Sequence, residues 1–316
     1  MSIITEEMRV RKKMCEYALK YGVSKAARRY NTYRQFIYRQ LDKYDGTVES
    51  LALKSRKPKT AHPNQHTEEE IQLVKKKYQR FSHEGLAEVY AQLKRAGYTR
   101  SFNGMKRVIK KVIKQKEPQK RKWKKNNQGP KQTKTYPGQL VQMDIKYVPK
   151  ECIGFDSKGI SYYQITAIDT YSSKRVLGMV DEKSVTNTAR FALELEEKMG
   201  FKIDCIQTDN GSEFLSTHPN AKGKTVFQRV LDSFGIQHIH TRPYSPWQNG
   251  IVERSHRIDG ERFYSRHLFK SEEDLRKKHR RYNSRYNNIA KQKHNFKSPN
   301  QVVEDYFRIL DSDSAA

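Results

Sequence analysis

Three acidic residues stand where a folded chain has little reason to place a charge. Asp144 interrupts an alternating apolar run, so it is predicted to lie in a strand, on the side opposite Val141 and Ile145. Asp209 ends a second predicted strand, and the Asn-Gly pair after it predicts a sharp turn. Glu253 follows Asn-Gly-Ile-Val near the predicted start of a long helix. A charge in such a place is costly unless it is solvated, paired or bound to a metal ion.

Carboxylates from two strands and a helix are suited to holding Mg²⁺, a hard ion that takes oxygen ligands and usually keeps several waters. Two such ions, about 3.5–4 Å apart, activate the attacking oxygen and stabilise the leaving oxygen in phosphoryl transfer. We therefore expect Asp144, Asp209 and Glu253 to be both catalytic and metal-binding, with a pair of Mg²⁺ ions in the site and Mn²⁺ able to substitute. The sequence offers no Ser/His/Asp or Cys/His arrangement that would indicate a covalent nucleophile.

Other residues compete for these roles. Asp169 also ends a strand, but it is expected to cap the turn that follows. Glu213 comes shortly after the second acid and is expected to be structural or to support the metal ligands. His238 and His240 alternate on a short strand, and a zinc site needs more ligands than this pair. Trp247 could stack on an unpaired base or simply pack in a turn, and the sequence leaves both readings open.

The charge of the chain indicates a polyanionic partner. Its 316 residues carry a formal net charge of +28, and 31% of them are charged. Clustered lysine and arginine release counterions from phosphates when they bind nucleic acid. The sequence contains no apolar run long enough to span a membrane, and its cysteines are too far apart for a zinc finger or a disulfide framework. We therefore expect a cytoplasmic, nucleoid-associated protein that binds DNA and no membrane.

Two N-terminal segments have the pattern of helix-turn-helix DNA-binding domains. In the first, apolar residues at helical spacing and a tight turn at Asn31-Thr32 predict short helices, the last of which enters the major groove. Its candidate DNA contacts are Arg34, Gln35, Tyr38 and Arg39. The second segment begins with a capping box from Thr67 to Glu70. Its candidate contacts, on a third basic helix, are Lys106, Arg107 and Lys110.

The rest of the chain predicts an α/β core. Strand-type runs and amphipathic helices follow one another in the order β-β-β-α-β-α-β-α, which gives a mixed sheet flanked by helices. A basic segment with Pro118 and Gly129, which cannot bury a core, separates this region from the helical domains. The predicted helix-turn-helix domains span 1–60 and 61–115, the linker 116–135, the catalytic core 136–268 and a C-terminal helical region 269–316.

The segments around the three acids resemble the motifs of the retroviral-integrase-type (DDE) catalytic core. They read Gln-Met-Asp-Ile-Lys at Asp144, Thr-Asp-Asn-Gly-Ser-Glu-Phe at Asp209 and Ser-Pro-Trp-Gln-Asn-Gly-Ile-Val-Glu-Arg at Glu253. Within that superfamily the chain is most similar to bacterial insertion-sequence transposases. The resemblance covers about Tyr136 to Val303 and implies a ribonuclease H-like core with a five-stranded mixed sheet.

Two departures from the family pattern bear on this resemblance. The gap between the second and third motifs is longer than is usual, which predicts a surface loop inserted at 216–224. Retroviral integrases also carry an N-terminal His/Cys zinc module, and this sequence has none. The second departure favours a transposon or a related bacterial element over a retrovirus.

The resemblance also implies an activity. Enzymes of this type bind the terminal inverted repeats of a mobile element, free a 3′-OH by hydrolysing a phosphodiester, and transfer that 3′-OH to target DNA. They act as multimers, so we expect a homo-oligomer, a dimer or tetramer, on double-stranded DNA. Candidate DNA contacts near the carboxylates are Lys146, Tyr244, Gln248, Asn249, Arg254 and Arg257.

Two other functions fit parts of the same pattern. One is a DNA-binding regulator whose core is inert, which would bind DNA without cutting it. The other is a ribonuclease H-like nuclease or resolvase, which would cut DNA without joining the product to a target. The presence of all three acids speaks against the regulator. The paired DNA-reading segments and the third motif speak against the nuclease.

Overall fold

The computed structural model describes residues 4–53, 58, 60, 62–113, 134–216, 223–242 and 245–314. Its contacts divide the chain into two compact units, Met1–His66 and Thr67–Ala316. Most of the predicted linker, most of the predicted loop at 216–224 and Tyr244 lie outside the described residues. The domain boundaries given above stay predictions. Among the described residues, no helix combines the length and apolar character needed to cross a membrane.

The first unit is helical where the structure describes it. It contains α1 (Glu6–Tyr21), α2 (Val23–Arg29) and α3 (Arg34–Leu41). Gly22 separates α1 from α2, and its φ of 89° lies in the region that favours glycine. Gly22 is also the residue that precedes α2, and no side chain caps the start of that helix. The helices pack around Met14, Ala18, Ala26 and Ile37.

The second unit begins with a group of helices that we call the second helical segment. These are α4 (Glu68–Phe81), α5 (Leu86–Arg95) and α6 (Phe102–Ile113). The predicted capping box is confirmed: Thr67 Oγ1 accepts a hydrogen bond from the Glu70 N–H at 3.2 Å, and Glu70 Oε2 accepts one from the Thr67 N–H at 3.0 Å. The helices enclose Val74, Val89, Leu93, Met105 and Ile109.

The α/β core is built on one five-stranded sheet, as predicted. Its strands are β1 (Val141–Tyr147), β2 (Tyr163–Asp169), β3 (Arg175–Val180), β4 (Cys205–Thr208) and β5 (Gln237–His240). They lie in the order β3-β2-β1-β4-β5. Strand β1 is antiparallel to β2 and parallel to β4, so the sheet is mixed. This arrangement is the predicted ribonuclease H-like fold.

Helices cover both faces of the sheet. One face packs against α7 (Val185–Leu193), α8 (Leu195–Met199) and α9 (Val226–Ser233). The other face carries α10 (Gly250–Arg262) and α11 (Glu272–Asn288), and α12 (Pro299–Ser314) follows. The helices α7 and α8 are separated only by Glu194, which interrupts the helical run from 185 to 199. The site described below lies on the α10 face.

A buried ion pair fixes α10 on the sheet. Arg175 of β3 and Asp259 of α10 are both fully buried, and Arg175 Nη1 lies 2.7 Å from Asp259 Oδ1. Asp259 also accepts hydrogen bonds from Gln164 Nε2 at 2.9 Å and from the Tyr282 hydroxyl at 2.8 Å. The guanidinium lies 3.6 Å from the centre of the Tyr286 ring. Since these residues come from β2, β3, α10 and α11, the network joins the sheet to both helices on this face.

Candidate active site

Two neighbouring strands bring the first two acids together. Gln142 of β1 pairs with Gln207 of β4 in parallel register. Asp144 and Asp209 each come two residues later, so the same register places them side by side on one face of the sheet. Asp209 directly follows Thr208, the last residue of β4. The pair therefore lies at the carboxyl end of β4, where α/β sheets commonly bind ligands.

The third acid is carried by the first turn of α10. Glu253 is exposed there. The start of this helix is tied to the sheet through Gln142, whose Nε2 donates to the Gln248 carbonyl oxygen at 2.6 Å. Gln142 Oε1 also accepts a hydrogen bond from the Ile251 N–H at 3.1 Å. Because Gln142 and Asp144 share a face of β1, α10 begins on the face that carries the first acid.

The surroundings of Asp144 disfavour its ionised form. Burial raises the pKa of Asp144 to about 7, and the negative charge of Asp209 acts in the same direction. The hydrogen bond from the Ile145 N–H to Asp144 Oδ1, at 2.8 Å, opposes that rise, while Glu213 and Glu253 add to it. A divalent cation would relieve this repulsion between carboxylates, and carboxylate oxygens are the donors that Mg²⁺ prefers. The donor set therefore fits a hard metal ion.

The carboxylates do not form a closed ligand cluster in this structure. Within the described part of the chain, no group of three or more His, Cys, Asp and Glu side chains is arranged to hold a metal ion. Asp209 Oδ1 accepts a hydrogen bond from the Gly211 N–H at 3.1 Å, which holds it over the turn after β4. The roles of Asp144, Asp209 and Glu253 as metal ligands stay predictions.

His256, which the sequence analysis missed, contacts the first acid. Its Nδ1 lies 3.4 Å from Asp144 Oδ2, and its Nε2 lies 3.0 Å from Thr166 Oγ1. Thr166 Oγ1 accepts a hydrogen bond from Gln164 Nε2, and its hydroxyl can donate its own proton to His256 Nε2. In that arrangement the imidazole carries its proton on Nδ1, which faces Asp144. Burial lowers the pKa of His256 to about 4, so the ring is neutral at neutral pH. The sequence signal that could have identified His256 is its position one helical turn after Glu253.

The rival acids and His238 have protein partners. Asp169 is fully buried and accepts hydrogen bonds from the Ser172 N–H and hydroxyl at 2.7 and 2.6 Å. Glu213 is also buried, and its Oε1 lies 2.8 Å from Lys183 Nζ. His238 Nε2 lies 2.9 Å from the hydroxyl oxygen of Thr208, the last residue of β4. These contacts fit structural roles.

The predicted DNA contacts differ in accessibility. The exposed ones are Arg34, Gln35, Tyr38 and Arg39 on α3, Lys106, Arg107 and Lys110 on α6, and Arg254 and Arg257 on α10. Gln248 is partly exposed, whereas Asn249 is buried before the first turn of α10. Lys146 Nζ donates to the carbonyl oxygen of His256 at 2.9 Å. Contact of these residues with DNA stays a prediction, and Tyr244 lies outside the described residues.

Two family models match this part of the chain. Residues 134–246 match one model of an integrase core domain, and residues 234–291 match another. The matched residues include all three acids. This region is an integrase core domain. The assignment agrees with the order of its strands and with the placement of Asp144 on β1 and of Asp209 directly after the adjacent β4.

The integrase core domain has relatives in viruses and transposons. The chain is 35% identical over 126 residues to the ORF3 protein of Spiroplasma virus SpV1-C74, named as an integrase, covering 37% of this chain and 34% of that protein. It is 30% identical over 104 residues to the retrovirus-related Pol polyprotein from transposon TNT 1-94 of Nicotiana tabacum, covering 32% and 7%. The match thus spans about a third or less of the length of either curated relative.

Solved structures of viral proteins are similar to parts of the chain. The HTLV-2 integrase catalytic core domain in complex with magnesium is 23% identical, covers 40% of this chain and 70% of its own, and gives a TM-score of 0.30. A chain of the simian T-cell lymphotropic virus intasome is 19% identical, covers 72% of this chain and 73% of its own, and gives a TM-score of 0.43. These likenesses concern the fold alone.

Proposed function

We propose that this chain is a DNA transposase, a polynucleotidyl transferase whose catalytic carboxylates are Asp144, Asp209 and Glu253. The observation that carries the proposal is the register of β1 with β4, since it sets Asp144 beside Asp209 on the face that α10 covers. The charges of Asp209 and Glu253 both act on Asp144, so the acids share one electrostatic environment. The match to an integrase core domain supports the same class of reaction.

The proposed cofactor is a pair of Mg²⁺ ions held by these carboxylates, with Mn²⁺ as a substitute. When bound, such ions supply Lewis acidity at the phosphate and a more nucleophilic oxygen at neutral pH. The chain's own residues hold the ligands in place. The Ile145 N–H and His256 orient Asp144, and the Gly211 N–H orients Asp209. Outer contacts of this kind fix the direction in which a ligand presents its oxygens.

The proposed substrate is double-stranded DNA, both the terminal inverted repeats of a mobile element and its target. In α3, the side opposite the buried Ile37 presents arginine, glutamine and tyrosine side chains to solvent. Such side chains suit contacts with phosphates and base edges in the major groove. The net charge of +28 supports binding along a polyanion. A homo-oligomer, a dimer or tetramer, would bring two element ends together.

The variants Asp209→Asn and Glu253→Gln test the proposal. Each removes one negative charge and nearly preserves side-chain shape, so DNA binding should survive while cleavage and strand transfer are lost. The loss should exceed the roughly 10–100-fold that follows removal of a residue supporting a metal ligand. Glu261→Gln is the matched control, because Glu261 is an exposed acid further along the same helix. The assay is strand transfer with Mg²⁺ and DNA that carries the element ends.

The same assay separates the alternative functions. Products joined to target DNA support the transposase. Protection of DNA without any cleavage by the unaltered protein would favour the regulator with an inert core. Cleaved DNA that is never joined to a target would favour the nuclease or resolvase. Full activity in Asp209→Asn or Glu253→Gln would refute the assignment of the carboxylates.

A further inference from the structure

Glu213 carries a buried carboxylate beneath the turn that follows β4. Only 1% of its side chain is exposed, and its Oε1 lies 2.8 Å from Lys183 Nζ; we call these two residues the Lys183–Glu213 pair. A Cβ atom added at Gly211 would lie 2.5 Å from both carboxylate oxygens, so the close approach of Glu213 requires glycine in the turn. Among the described residues, no donor other than Lys183 reaches either oxygen. A buried carboxylate is costly without such a partner.

Helix α7 positions both members of the Lys183–Glu213 pair. Lys183 directly precedes Ser184, whose Oγ accepts a hydrogen bond from the Asn187 N–H at 3.4 Å and so caps the helix. One turn into α7, the hydroxyl of the buried Thr188 donates to the carbonyl oxygen of Glu213 at 2.8 Å. The same helix therefore fixes the backbone on which each charge is carried, and the pair does not depend on the chance meeting of two surface side chains.

The Lys183–Glu213 pair shares the electrostatic environment of the proposed catalytic acids. Although burial acts to lower it, the pKa of Lys183 lies above its ordinary value because of Glu213 and Asp209. Burial, Asp209 and, more weakly, Glu213 raise the pKa of Asp144. Within the described part of the chain, no lysine or arginine side chain other than Lys183 is ion-paired with Glu213 or with the three proposed catalytic acids. Lys183 therefore supplies the positive charge beside these carboxylates.

We propose that Lys183 is a built-in counter-ion of the carboxylate site, which Glu213 holds beside Asp209 and which sets the affinity of the site for a divalent cation. The ammonium repels such a cation and the buried carboxylate attracts it, so the two charges act in opposite directions. Neither side chain is a metal ligand in this proposal, and both are positioning residues. The inference rests on the proposed function only in taking a divalent ion as the cofactor.

Titration calorimetry of the full chain with Mn²⁺, without DNA, measures this affinity. Lys183→Met removes the ammonium, so the affinity should rise by about 10-fold, the lower end of the range for residues that surround metal ligands. Glu213→Gln removes the carboxylate and leaves Lys183 unpaired, so the affinity should fall by about 10–100-fold. The double variant Lys183→Met/Glu213→Gln loses both charges, and its affinity should return close to that of the unaltered protein.

A purely structural role for the Lys183–Glu213 pair would give a different pattern. If the pair only supported the turn after β4, both single variants would misplace Asp209 and both would weaken Mn²⁺ binding. An unchanged or lower affinity in Lys183→Met would therefore overturn the proposal. If Lys183→Met does not fold, Glu213→Gln and the double variant decide: the double variant must bind Mn²⁺ more tightly, and equal affinities would overturn the proposal.

Lys202→Met is the matched control for the loss of one positive charge. Lys202 Nζ also lies 2.8 Å from a carboxylate oxygen, that of Glu196. This pair lies before the start of β4, whereas Asp209 follows the end of that strand. The affinity for Mn²⁺ should therefore not change in Lys202→Met. A rise equal to that in Lys183→Met would overturn the proposal, because net charge alone would then explain the effect.

Two further variants tie the measurement to this site. Lys183→Arg keeps the positive charge and should keep the Mn²⁺ affinity. Asp209→Asn should lose Mn²⁺ binding, and binding retained in that variant would place the measured ion elsewhere and overturn the inference. The outcome is independent of strand transfer. Opposite shifts in Lys183→Met and Glu213→Gln support the inference even if the protein joins no DNA, whereas shifts in the same direction overturn it even if the unaltered protein is an active transposase.

Discussion

The two sides of α10 differ in charge and in what they can bind. On one side, burial raises the pKa of Asp144, and the negative charges of Asp209 and Glu253 act in the same direction. On another side α10 borders a wide cleft, whose charged lining residues are eleven lysines and arginines and one carboxylate, that of Glu84. The two surfaces meet at the start of α10, where Gln248 and Arg254 line the cleft. Changes at either surface should act on that surface alone, whereas changes to what anchors the helix should act on both.

The largest effect should come from the anchor. In Asp259→Ala, Arg175 would be left buried without its counter-charge, and breaking a buried pair in this way costs about 3–5 kcal/mol of unfolding free energy. Urea denaturation measures this loss. Cleavage activity and the affinity for duplex DNA should decline together, since both surfaces depend on the position of α10.

The dependence of stability on pH tests the role of the Arg175–Asp259 ion pair. Although burial acts to raise it, the pKa of Asp259 lies below its ordinary value because of Arg175 and its hydrogen bonds. A group with a lowered folded-state pKa stabilises the protein above its unfolded pKa and loses that effect as pH falls through the folded value. Acid should therefore destabilise the unaltered protein below about pH 4 through this group, and Asp259→Ala should lack that component. A loss of stability within about 0.5 kcal/mol, typical of surface changes, would contradict the anchor.

A smaller and one-sided effect is expected from His256→Ala. The imidazole faces Asp144, so its removal should reduce metal affinity or cleavage by about 10–100-fold. The affinity for duplex DNA and its dependence on salt concentration should not change, because His256 does not line the cleft on the other side of α10. Calorimetric titration with Mn²⁺ and a salt series with duplex DNA measure the two sides separately. Loss of DNA binding together with unchanged metal affinity would contradict the placement of His256 beside the metal ligands.

The sequence predicted the core well because its signals are local. Alternating apolar residues identify β1, and the Asn-Gly turn after Asp209 identifies the end of β4. The capping box at Thr67 marks the start of α4 within a few residues of chain. Such patterns depend only on neighbours in sequence, so they can be read without a structure.

The contacts that the sequence did not predict join distant parts of the chain. Arg175 lies 84 positions from Asp259, and its fully buried side chain has no local signal that separates it from the many exposed arginines. Glu88 bonds to a backbone group 202 positions away, so the docking of the second helical segment on the C-terminal region could not be read from helix patterns. His256 was visible only as a helix neighbour of Glu253. Its contact with Asp144 depends on how α10 lies on β1.

The most direct test of the account is the location of a bound metal ion. Crystals of the protein grown or soaked with Mn²⁺ can be measured by anomalous X-ray diffraction, which identifies manganese by its scattering. We expect an anomalous peak bounded by the carboxylates of Asp144, Asp209 and Glu253, and its loss in Asp209→Asn. Manganese bound elsewhere, with these three side chains apart and unoccupied, would contradict the proposed active site.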